Sequence, residues 1–151
     1  MTDAPPLSGV TPRLVCKGAA AAIDFYKAAF DATEHVRLAG KNGLLMHAAL
    51  TINGGLVMLV DEFPEMGSHK SPLSLGGTAV TLHLAVADAK AAIAKAAAAG
   101  AVVTMQPQIM FWGDLYGMIT DPFGHVWSIA TPMGGPTTSE GLAVALQESG
   151  L

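Results

Sequence analysis

The chain has 151 residues, of which 51% are hydrophobic and 13% charged. That length allows one domain with a real core, and that balance excludes a disordered polymer. The formal net charge is −4 with no run of Lys or Arg, which argues against nucleic acid and anionic membrane surfaces as partners.

Residues 1–8 are polar and proline-bearing, without the basic and apolar regions of a signal peptide. A short apolar strand is expected over 10–16. It holds Cys16, the single cysteine, so no internal disulfide can form. A buried structural thiol in a reducing, cytoplasmic setting is the expectation. An amphipathic helix follows over Ala19–Phe30, with Ile23, Tyr26, Ala29 and Phe30 near one face. Three strands come next, over 33–38, 45–52 and 56–61, and Asn53-Gly54 is a hairpin turn signal. Asp61 and Glu62 then read as a solvated strand end. Residues 62–77, with Pro64, Gly67, Pro72 and Gly76-Gly77, read as a crossover that could also cover a cavity.

The second half repeats the pattern. A strand is expected over 79–86, then a helix capped by Asp88 and stopped at Gly100. The Ala-rich stretch around it is no membrane span, because Asp88, Lys90 and Lys95 interrupt it. Strands over 102–106, 115–120 and 125–131 follow, with the turn Asp121-Pro122-Phe123-Gly124 before the last. His125, just past that turn, reads as surface or cap. The tail from 132 is weakly helical over 139–147.

Shifted by 70 positions, the chain matches itself without a gap. Thr11 falls on Thr81, Leu14 on Leu84, Ile23 on Ile93, Gly43 on Gly113 and Gly54 on Gly124. The expected fold is therefore α+β: two tandem βαβββ modules in a single domain, residues 1–151, with a curved mixed sheet around a cavity. Module one covers about 9–61, the crossover 62–77, module two about 78–131 and the tail 132–151.

A tandem βαβββ pair with Ala22-Ile23-Asp24-Phe25-Tyr26 on its first helix resembles the vicinal oxygen chelate superfamily. That superfamily includes glyoxalase I, extradiol dioxygenases and bleomycin-resistance proteins. The stretches 61–67, 111–114 and 121–131 resemble its PhnB-like branch. The resemblance places metal ligands near the start of each module's first strand and on each fourth strand. Those places hold Thr11, Met58, Thr81 and Ser128, which are poor ligands for a divalent ion. The expectation is accordingly no metal and no other cofactor.

On the same reasoning the concave face becomes a pocket for a small molecule. Strand alternation adds Arg13 and His83 to Met58, Thr81 and Ser128. Arg13 suits an anionic group, or is simply an exposed strand-end cation. His83 is the candidate acid or base, or else a hydrogen-bonded histidine without chemistry. Phe111, Trp112 and Tyr116, flanking Gly113-Asp114, could stack on a planar ligand or pack between modules or across a dimer, and Asp114 could orient a ligand donor or is simply a solvated turn residue. His47 is a further candidate whose face depends on the parity of its strand. Trp127, next to Ser128, should face the core. The function expected is a metal-independent, sequestration-type binding protein. The alternative is a metal-dependent lyase, isomerase or dioxygenase of the same superfamily. The resemblance also implies a homodimer, with modules paired within one chain or swapped between two.

Overall fold

The computed structural model describes residues 3–67 and 69–151. In module one β1 (Arg13–Cys16) leads into α1 (Ala19–Phe30), then β2 (Thr33–Ala39), β3 (Leu45–Ile52) and β4 (Gly55–Asp61). The crossover contains a 3₁₀ turn over Pro64–Met66 and the single-turn helix α2 (Pro72–Leu75). Module two runs β5 (Thr81–Ala85), α3 (Ala89–Ala99), β6 (Val102–Ile109), β7 (Asp114–Thr120) and β8 (Val126–Pro132). The tail carries α4 (Ser139–Ser149). The α+β architecture of two βαβββ modules is thus the observed one.

Each module makes its own four-stranded mixed sheet, in the orders β1-β4-β3-β2 and β5-β8-β7-β6. The first strand pairs parallel with the fourth in both. The 70-residue repeat is exact at the level of register: Arg13 pairs with Met58, and His83 with Ser128.

Local chemistry explains where the elements begin and end. The first strand starts at Arg13, later than its apolar run suggests, because Pro12 has no N–H to donate; Val10 is fully exposed. Conversely, β6 continues through Pro107 to Ile109, which its position at the sheet edge permits. The N-cap of α1 is Gly18 at φ 101°, a left-handed conformation that suits glycine, and it supplies no side-chain cap. The Asp61 carboxylate replaces that cap, accepting from the N–H groups of Gly18 and Ala19 at 3.0 and 2.8 Å through Oδ1. Its Oδ2 accepts from Leu45 N–H at 2.7 Å. Asp61 is therefore buried and structural rather than a solvated strand end. In α3 the expected caps are present: Asp88 accepts from Ala91 N–H, and Gly100 closes the helix at φ 120°.

The modules meet through α1 and α3. The core between them and the sheets holds Ile23, Tyr26, Phe30, Ile93, Ile119 and Trp127. Trp127 faces this core, as its alternation with Ser128 requires. Tyr26 stacks on Phe30 at 6.1 Å, and Trp127 packs against both rings. Asp121 ties the modules together. Its Oδ2 accepts from the Tyr26 hydroxyl at 2.5 Å and from Trp127 Nε1 at 2.9 Å. Its Oδ1 accepts from the N–H groups of Phe123 and His125 at 2.9 and 3.0 Å. A buried carboxylate with four donors satisfies its own desolvation cost and fixes the turn against α1.

Candidate functional site

The residues expected at the site divide between the two sheets. Arg13 and Met58 lie side by side on β1 and β4, and alternation puts both on the face opposite the core residues Leu14 and Leu59. His47 sits two residues before Ala49, the partner of Met58, so it joins this open face. A register shift between Leu38 and Ala39, opposite this part of β3, is what hid its parity in the sequence.

Thr81, His83 and Ser128 lie on the open face of the second sheet, away from Trp127 and Ile129. His83 Nδ1 and Ser128 Oγ are 2.7 Å apart, a hydrogen bond whose direction depends on the imidazole tautomer. Ser128 is only 3% exposed, so its hydroxyl anchors the histidine and is poorly placed to attack a substrate. The His83 ring lies nearly parallel to Tyr116, centroids 6.3 Å apart. Tyr116 meets Trp112 edge to face at 5.3 Å, and Trp112 meets Phe111 in the same way at 4.9 Å. The result is a connected row of rings, from β5 across β7 to the β6–β7 turn. Asp114 starts β7 beside Trp112, and its carbonyl closes the turn by accepting from Met110 N–H at 2.9 Å.

Gly113 and Gly135 hold this turn in place. Gly113 has φ 96°, and a Cβ on either glycine would collide with the backbone of the other. The tail therefore crosses directly over Trp112 and Gly113, an approach only two glycines allow.

The donors at the superfamily's ligand positions do not fit a divalent ion. Thr11 and Thr81 are neutral hydroxyls, Ser128 is already bonded to His83, and Met58 is a soft thioether beside the Arg13 cation. Among the described residues no group of three or more His, Cys, Asp or Glu is arranged to hold a metal.

Two residues that look reactive in isolation are structural. His125 is buried, not on the surface, because its turn folds under β1. Its Nε2 lies 3.0 Å from the Val15 carbonyl, which can only accept, so Nε2 carries the proton. Cys16 Sγ lies 3.9 Å from the same nitrogen. Burial, reinforced by Asp121 and Asp61, pushes the Cys16 thiol up, so the pair is no thiolate–imidazole nucleophile.

Residues 10–129 match the model of the Glyoxalase/Bleomycin resistance protein/Dioxygenase superfamily, and the chain belongs to that superfamily. It is 51% identical over 126 residues to the uncharacterized protein Mb0911c of Mycobacterium bovis, covering 82% of this chain and 83% of that one. It is 34% identical over 118 residues to the uncharacterized protein At5g48480 of Arabidopsis thaliana, covering 72% and 69%. The X-ray structure of that Arabidopsis gene product superposes with a TM-score of 0.63 at 26% identity, over 83% of this chain and 99% of the other. TioX from Micromonospora sp. ML1 superposes with a TM-score of 0.66 at 24% identity, over 84% and 100%, which shows the shared fold. A putative PhnB protein from Bacillus cereus does likewise, with a TM-score of 0.63 at 18% identity, over 82% and 99%.

Proposed function

We propose that this chain is a metal-independent binding protein that sequesters a small planar molecule. The observation that carries this reading is the row of rings formed by His83, Tyr116 and Trp112 on an open sheet face. Aromatic faces take up a planar ligand by stacking, and each ring is held by its neighbours before the ligand arrives. His83, anchored by Ser128, offers one ring nitrogen to orient the ligand. The four superfamily ligand positions hold neither nitrogen nor carboxylate donors, which supports binding without a metal.

The reading includes a homodimer in the cytoplasm. Apolar side chains at the sheet edges and nearby, among them Leu38, Met46 and Ile109, are exposed in the single chain and suit a second copy. The buried free thiol of Cys16 fits a reducing compartment. Among the described residues no helix is long and apolar enough to cross a membrane.

The test is a fluorescence titration of the purified chain against a panel of planar aromatic compounds, followed by product analysis. Quenching of Trp112 with unchanged ligand is the expected result. Ligand turnover that requires an added metal would replace this reading with a lyase, isomerase or dioxygenase.

A further inference from the structure

A cavity of about 280 Å³ opens where the two modules meet, away from the aromatic row. It is lined by Val15 of the edge strand β1, by Val80 just before β5 and by Leu82 within it. Pro72 and Leu75 of α2 also line it. Its lining is largely apolar, yet Arg13 and Lys70 also border it. A smaller cavity of about 120 Å³ shares Arg13 and Val15 and is lined also by Asp61 and His69.

Among the described residues neither Arg13 nor Lys70 makes an ion pair or a side-chain hydrogen bond. The acids nearby are engaged elsewhere. Asp61 is taken by three backbone amides, Asp121 by four donors, and Glu62 by the Ser71 N–H at 2.5 Å. An Arg and a Lys that make no ion pair border one apolar cavity, in a chain whose net charge is −4.

We propose that this junction is a second binding site, for an amphipathic monocarboxylate. The carboxylate lies between Arg13 and Lys70, with the guanidinium fork able to hold both oxygens. The apolar tail lies against Val15, Pro72, Leu75, Val80 and Leu82. Each half of the ligand has its own part of the cavity, so neither an inorganic anion nor a neutral alcohol satisfies both. The proposal does not rest on the aromatic row, which uses other elements.

Octanoate is the probe, compared with octanol, octylamine and acetate by calorimetry on the full chain at neutral pH. Saturable 1:1 binding of octanoate is expected, with the other three at least about tenfold weaker. Arg13→Ala and Lys70→Ala should each weaken octanoate about tenfold. Both side chains are exposed, so both variants should fold. Leu75→Trp, which fills the cavity from α2, should abolish octanoate binding. Amide shifts on octanoate addition should cluster at Leu14, Val15, Leu75 and Val80. Absence of octanoate binding, equal binding of octanol, indifference to both cation variants, or shifts centred on Tyr116 would each overturn the proposal.

Discussion

Asp61 and Thr131 stand 70 residues apart, and each accepts the first amide N–H of its own module's helix: Ala19 to Asp61 at 2.8 Å, Ala89 to Thr131 at 2.8 Å. The two modules keep the same cap position with different chemistry. Asp61 brings a charge and three amide donors, whereas Thr131 accepts once and donates to the Val86 carbonyl at 3.0 Å. Asp61→Ala should therefore cost about 3 kcal/mol, and Thr131→Val about 1 kcal/mol. Urea unfolding of the two variants measures the difference, and equal losses would show that the charge contributes nothing.

Stability should fall in alkali. Burial, with the negative charge of Asp121 beside it, raises the Tyr26 hydroxyl well above its ordinary 10.0, and burial raises the Cys16 thiol above its ordinary 9.0. In the folded chain both keep protons that the unfolded chain releases. Their contribution is complete below about pH 9 and is lost progressively above it. Tyr26→Phe should flatten the upper part of this dependence, at a cost of about 1 to 2 kcal/mol near neutrality from the lost bond to Asp121. Urea midpoints across alkaline pH provide the check.

The crossover should loosen in acid. Hydrogen bonds from Ser71 and Ser74 hold the Glu62 carboxyl down to about 2, against an ordinary 4.5. Its contribution is present above about pH 4.5 and fades as pH falls towards 2. The protection of the Ser71 amide, which donates to Glu62, measured as its exchange rate relative to the unfolded chain at the same pH, should fall over that window. Glu62→Gln, which has no titratable carboxyl, should show lower protection there and no such step.

At Gly117, Ile93 of α3 packs directly onto β7 of its sheet. A Cβ there would lie 2.5 Å from Ile93 Cδ1 and 2.9 Å from the Met105 carbonyl oxygen. The backbone oxygen belongs to the neighbouring strand and cannot swing away as a side chain can. Gly117→Ala should destabilise the chain by about 2 kcal/mol or more. Gly54→Ala serves as the comparison, since a Cβ there meets nothing and only the positive φ of 85° opposes it.

Metal retention separates the two superfamily readings. After incubation with zinc, nickel, iron, manganese or magnesium and desalting, elemental analysis should find well under one equivalent of each. Near-stoichiometric retention, abolished in His83→Ala, would require a ligand set built around His83 and would displace the metal-independent reading.

Much of this molecule was legible in the amino-acid sequence because the signals are local. The gapless repeat, the apolar stripe of α1, the Asp88 and Gly100 caps and the alternation that sends Trp127 inward all follow from spacing along the chain. The resemblance names Met58 and Ser128, the repeat and alternation put Arg13 and His83 on the same face, and the strand register then pairs Arg13 with Met58 and His83 with Ser128. The errors concern residues whose role is set by partners far away in sequence. Asp61, at a strand end, looked solvated until α1 arrived on it, and His125 looked exposed until its turn met Val15. Asp121 looked like an ordinary turn residue, yet its carboxylate reaches Tyr26 of the other module. Only the tertiary structure decided that Arg13 borders the junction between modules while His83 belongs to the aromatic row. Periodicity fixes which way a side chain points from its own backbone. Which hydrogen-bond partner or cavity it meets there depends on how separate elements pack, and no local pattern encodes that.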